Sequence, residues 1–138
     1  MSGKRGLPPF LINDPGLNSG LMILQYTSAS LVSANKQLAT PSSIDSITSS
    51  NGQEDHVSMG ANGANQLRDI INNLYEIFAI ELITAIQAKE FNNHKASDLL
   101  DEFISTIRKI HPKISSDRVF HNDIIKVSKF LKRNRRVV

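Results

Sequence analysis

The 138-residue chain contains no cysteine and no tryptophan. Without thiols it has no disulfide, no thiolate metal ligand and no cysteine nucleophile. Aromatic residues make up only 6%, so any core must rest on Ile, Leu, Ala and a few Phe. No apolar run reaches the roughly 18 residues that a membrane-spanning helix needs. The first 34 residues imitate a secretion signal, with Lys4 and Arg5 followed by an apolar stretch at 21–24 and small residues at 32–34. Pro8, Pro9, Pro15 and Asn18 break the apolar part, so no removable leader is expected. Also missing are G-x-S-x-G and the glycine patterns that cradle phosphates. A cysteine-free chain suits a reducing cytoplasm, which is the expected location.

Charge is nearly balanced except at one end. The net charge is +3, yet residues 121–138 alone carry six basic and one acidic side chain. A terminal basic run such as "KVSKFLKRNRR" can grip phosphates. It also suits a helix end, where cations favour the negative pole of the dipole. No recognisable nucleic-acid-binding module accompanies it, so neither nucleic acid nor membrane is an expected partner.

What is present reads as helix. The first 20 residues hold three of the five prolines and four of the seven glycines. Residues 1–19 are therefore expected to be an extended lead-in, with Leu7, Phe10, Leu11 and Ile12 needing something to pack on. Asn18 or Ser19 can cap a helix over 20–36. The Ser/Thr-rich stretch that follows is too long for an ordinary connection. It is expected to be an ordered loop pinned by Ile44 and Ile47. A long helix is expected over 55–90, with a bend or break near Gly60 and Gly63. Leu67, Ile70, Ile71, Leu74 and Phe78 recur at helical spacing within it, and 77–86 is apolar nearly all round. A third helix should start near Ser97 and stop before Pro112, and a fourth should start near Asn122. No alternating pattern competes, so the class is all-α with about four helices.

The join at 49–60, "SSNGQEDHVSMG", gathers the chain's most suggestive polar residues. Ser50-x-x-Gln53 and Asn51-x-x-Glu54 both fit a capping box at a helix start, and Asp55 suits the first turn. Glu54, Asp55 and His56 could also suggest a metal site. Consecutive helical residues point about 100° apart, so three in a row do not converge on one ion. His94, His111 and His121 show no ligand spacing to His56 or to each other, and are expected at the surface or between helices.

Three stretches carry a family likeness: "SGKRGLPPFL" (2–11), "GLNSGLMILQYTSASLVSANKQLATPSSIDSITSSNGQEDHVSMGAN" (16–62) and "AIELITAIQAKEF" (79–91). Together they resemble the histidine ammonia-lyases of the aromatic amino acid lyase family. "DRVFHNDI" (117–124) is similar in kind, and residues 92–138 match more loosely. The resemblance implies an all-helical homotetramer that eliminates ammonia from L-histidine to give trans-urocanate, a step of histidine catabolism. It implies that 1–138 is the C-terminal portion of such an enzyme, with 1–19 as lead-in, 40–54 as an active-site loop and 92–138 as tail helices.

The family's electrophile, a methylidene-imidazolone (MIO) group, forms from Ala-Ser-Gly, which this sequence lacks. It is therefore expected only in a full-length enzyme, and this chain alone is expected to be inactive. By the same resemblance Glu54 is a substrate-facing carboxylate with Gln53 supporting it. Relatives acting on phenylalanine or tyrosine tend to read Asn-Gln-Asp there, so Glu54 favours histidine. The implied partners are L-histidine, a separate N-terminal lyase piece, or further copies of the chain. The other reading is a non-catalytic helical scaffold derived from the same family.

Overall fold

The computed structural model describes residues 3–4, 6–44 and 46–134. Among them are four helices and no strand: α1 (Met22–Leu38), α2 (Gly60–Lys89), α3 (Asp98–Arg108) and α4 (His121–Arg133). Short 3-10 turns occupy Ser42–Ile44 and Ser50–Gly52. The class is all-α, as the periodicity requires. Parts of two sequence expectations, the lead-in at residues 1, 2 and 5 and the basic run beyond 134, lie outside the described residues. No helix among those residues is long and apolar enough to cross a membrane.

The chain divides into two units, Met1–Ala29 with Tyr75–Val138, and Ser30–Leu74. The first contains every fully buried apolar side chain of the described residues. Leu11, Ile12, Leu21 and Leu24 pack with Ile80, Ile83 and Ile86 of α2, Ile107 of α3, and Ile124, Val127 and Leu131 of α4. Each such side chain contributes about 1.5–3 kcal/mol relative to full exposure. The lead-in therefore earns its order from packing rather than from regular structure. It makes tight turns, with Phe10 and Leu11 both at positive φ.

Two devices hold the lead-in against the tail. Gly20 sits at φ +53, and an added Cβ would lie 2.7 Å from the Phe10 carbonyl oxygen, so only glycine fits. The Asp117 carboxylate then accepts from the backbone N–H groups of Ser19 and Gly20, each at 2.8 Å. Asp117 thus fastens, from the far end of the chain, the turn that leads into α1; Ser19 and Gly20 both precede that helix. Asn18 instead accepts from the Asp117 N–H at 3.2 Å. These contacts give "DRVFHNDI" a structural purpose, since Arg118 also grips Asp123 at 3.0 Å.

The third helix follows expectation closely. Ser97 is its cap, accepting from the Leu100 N–H at 3.4 Å, and Asp98 and Asp101 occupy its first turn. Phe103, Ile104 and Ile107 face inward, whereas Leu100 is exposed. Leu100 lies within the first turn, where the helix has not yet reached the core.

The second unit is different in kind: none of its described residues is buried. Polar bonds tie its segments together: Asn73 on α2 to Asn35 on α1 at 2.8 Å, and Ser42 in the 3-10 turn to Gln66 on α2 at 2.7 Å. Leu67, Ile71 and Leu74, spaced four and three apart on α2, stay exposed.

Candidate functional site

The suggestive polar residues sit on a small tongue within Ser30–Leu74. Its base is closed by the Ser46 hydroxyl, which accepts from the Val57 N–H at 2.8 Å and donates to the Val57 carbonyl at 3.3 Å. Further in, Ser49 and Glu54 form a two-way backbone pair. The Ser49 N–H donates to the Glu54 carbonyl at 2.9 Å, and the Glu54 N–H donates to the Ser49 carbonyl at 3.3 Å. Between them the chain turns with the left hand, at φ 52 for Ser50, 54 for Asn51 and 87 for Gly52.

That geometry overturns the capping-box expectation. Ser50 and Asn51 lie in a 3-10 turn whose cap makes no side-chain bond, and α2 starts only at Gly60. Asp55 therefore does not occupy its first turn. Left-handed backbone costs an L-residue about 1–2 kcal/mol, so a right-handed helix cannot run through Ser50–Gly52. The chain then passes through Val57, and the Ser58 hydroxyl accepts from the Gly60 N–H at 3.3 Å to open α2. The break expected near 60–63 is thus the helix start itself.

The loop is also pinned differently from expectation. Ile44 and Ile47 are 74% and 64% exposed, and they line an open cavity of about 670 Å³ with Met59 and Gln66. The hydroxyls of Ser42 and Ser46 do the fastening instead. Hydroxyl-to-backbone bonds of this kind leave little pattern in a sequence, because serine is equally common in loose loops.

Gln53, Glu54, Asp55 and His56 are all exposed. Among the described residues nothing donates a hydrogen bond to the Glu54 carboxylate. Its position is set by the backbone alone, through the two bonds to Ser49. Such a carboxylate is free to accept from an N–H donor. His56, two residues on, lines a second cavity of about 320 Å³ with Ser42, Ser43 and Met59 at the start of α2.

A separate titratable cluster lies in the other unit. Of the three histidines expected at the surface or between helices, His111 is wholly buried, while His94 and His121 are exposed. Neither His111 ring nitrogen has a hydrogen-bond partner, although the Asp123 carboxylate lies 3.7 Å from Nδ1. Burial pushes the imidazole down to about 4; Asp123 opposes this, and Arg108 and Arg118 add to it. Nearby, Arg108 and Lys113 grip Glu90 at 2.8 and 3.0 Å. Burial alone would raise the Glu90 carboxyl, but the bonds from Lys113 and Arg108 outweigh it and hold it below its ordinary value. These groups brace the fold and sit apart in sequence from the tongue.

Comparison with known proteins supplies the context for the tongue. A family model described as aromatic amino acid lyase matches residues 1–109. The chain is 50% identical over 122 residues to a histidine ammonia-lyase of Treponema denticola, covering 88% of this chain and 24% of that protein. It is likewise 50% identical over 130 residues to a histidine ammonia-lyase of Geobacillus thermodenitrificans, covering 94% and 26%. The crystal structure of histidine ammonia-lyase from Trypanosoma cruzi superposes with a TM-score of 0.87 at 40% identity, over 94% of this chain and 26% of that one. A tyrosine aminomutase from Streptomyces globisporus gives a TM-score of 0.87 at 32% identity, over 96% and 26%. The chain spans about a quarter of the length of the curated relatives it matches. With the family model covering most of its length and the same helical fold beneath, the chain belongs to the aromatic amino acid lyase family.

Proposed function

We propose that the chain forms one wall of a histidine ammonia-lyase active site, in an enzyme that converts L-histidine to trans-urocanate and ammonia in the cytoplasm. The observation that carries this reading is the 50% identity to histidine ammonia-lyases over 130 residues, a span that includes Gln53-Glu54-Asp55. Glu54 is the substrate-facing carboxylate. It accepts from the imidazole N–H of the substrate, an interaction that a phenyl ring cannot make. Gln53 supports it from the adjoining backbone position.

The electrophile must come from elsewhere, because the residues present do not fit it. Ala29-Ser30 is followed by Leu31 inside α1, and Ala96-Ser97 by Asp98, with the Ser97 hydroxyl committed to capping α3. No step of the reaction is therefore assigned to an MIO group made by this chain. Incubated alone with L-histidine, the 138-residue chain should produce no urocanate absorbance; turnover by the chain alone would sink the reading. Co-expressed with the preceding portion of the Geobacillus thermodenitrificans relative, it should produce urocanate, and Glu54→Gln should cut that rate by about 10²-fold or more.

The exposed stripe Leu67, Ile71 and Leu74 belongs to the same proposal. A unit with no buried residue of its own is not stable by burial, and a helical stripe at this spacing suits a partner helix. We take that partner to be a helix of the remaining enzyme or of another subunit in a homotetramer. In sedimentation the isolated chain should self-associate, and Ile71→Lys should shift it towards monomer. A wild-type chain that sediments as a clean monomer would argue against this face as an interface. The same outcome would favour the scaffold reading no better, since a scaffold needs that face as well.

A further inference from the structure

We infer that the left-handed turn Ser50–Gly52 is a positioning device for Glu54, with Asn51 a positioning residue. The inference rests on the substrate-facing role proposed for Glu54. Three successive residues at positive φ are unusual, and two of them, Ser50 and Asn51, are not glycine. Strain of this kind persists only where the surroundings over-determine it. Here four backbone bonds do so. Gly52 and Glu54 both donate to the Ser49 carbonyl, at 3.1 and 3.3 Å, Gln53 donates to Ser50 at 3.2 Å, and Ser49 donates to Glu54 at 2.9 Å.

The consequence falls on Glu54. Both of its backbone polar groups are tied to one residue, Ser49, so the direction in which its side chain leaves the backbone is fixed by the hand of the turn. A right-handed turn of the same length would twist the two arms the other way and re-aim the carboxylate. Nothing else restrains that carboxylate among the described residues. The Ser46 clasp on Val57 secures the base of the tongue, and the turn sets its tip. Asn51, at φ 54 and ψ 36, stands in the region that asparagine and glycine tolerate and β-branched residues do not. Its side chain is exposed, so its identity acts through the backbone.

The test is a double-mutant cycle in the complemented enzyme, this chain with the preceding portion of the Geobacillus thermodenitrificans relative, read as urocanate formation. Asn51→Val should lower kcat by about tenfold or more with a smaller change in KM, whereas Asn51→Gly, which keeps the left-handed turn, should restore it to within about twofold. In a Glu54→Gln background, Asn51→Val should cost less than about twofold, because the group it positions is already disabled. An equal loss in both backgrounds would make the turn merely structural and overturn the inference, and so would full activity in Asn51→Val. No urocanate from the unsubstituted complemented enzyme would instead sink the parent reading, and the inference with it. On the chain alone, NMR couplings should report positive φ at Ser50 and Asn51 and lose that signature in Asn51→Val; negative φ in the unsubstituted chain would overturn the inference independently of activity.

Discussion

Gln87→Leu should lower the unfolding free energy by about 3 kcal/mol or more. Gln87 is wholly buried. Its side-chain amide donates to the Leu11 carbonyl at 3.1 Å and the Ile114 carbonyl at 2.9 Å, while its oxygen accepts from the Ile114 N–H at 3.2 Å. One side chain on α2 thus ties the lead-in to the connection between α3 and α4. Leucine has a similar volume, so the expected loss is not a cavity. It is the stranding of two carbonyls and one N–H without water, each costing about 1–3 kcal/mol. Gln87→Glu is the informative contrast. It keeps the acceptor for Ile114 but turns the donor that served two carbonyls into an oxygen, and it should be no better than leucine. Urea unfolding followed by far-ultraviolet circular dichroism measures both. A loss below about 1 kcal/mol for Gln87→Leu would mean that the lead-in finds other partners.

Gln87 also marks where the sequence was and was not legible. Helix α3 is bounded by Ser97 with its acidic first turn and by the approach to Pro112, both local signals, and it lies where they put it. The apolar stretch of α2 duly supplies Ile80, Ile83 and Ile86 to the core. Gln87, however, reads in sequence as an ordinary polar residue near a helix end. Its partners lie 76 and 27 residues away, and no local pattern carries such separations. The same holds for Asp117, which fastens the turn before α1 at positions 97 and 98 residues earlier.

The tongue failed for a different reason. "SSNG" is both a cap signature and a turn signature, because the same short polar side chains serve both. Which applies is settled by the hand of the backbone, which residue type constrains only loosely. Asn51-Gly52 was the better clue, being the dipeptide most at ease at positive φ. Glu54 was legible as a functional candidate through family likeness alone. Its exposure and lack of partners would suit any surface glutamate.

His111 should make the fold acid-sensitive well above the usual carboxylate range. Its imidazole ordinarily titrates near 6.5 and in the folded chain is held down to about 4. Between those values the unfolded chain binds a proton that the folded chain refuses, so stability falls as pH drops from about 6.5 towards 4 and is fully present only above that window. The full span corresponds to about 3 kcal/mol. The cause lies first in burial, which leaves both ring nitrogens without partners. Arg108 on α3 and Arg118 before α4 repel the added proton, and Asp123 on α4, already gripped by Arg118 at 3.0 Å, only partly offsets them. Lys113 and Glu90 complete the charged surroundings through their own ion pair at 3.0 Å. Glu90, whose carboxyl is held below its ordinary 4.5, loses its contribution only at still lower pH, so the two groups act in successive windows. Because Asp123 lies 3.7 Å from the ring and is already held by Arg118 at 3.0 Å, His111→Leu removes only a long contact and should keep the stability at pH 7 within about 1 kcal/mol. Its unfolding free energy should then stay nearly flat between pH 6.5 and about 4.5, where the unsubstituted chain loses ground. Urea titrations at intervals across that range decide the matter, and equal slopes for the two chains would remove His111 as the cause.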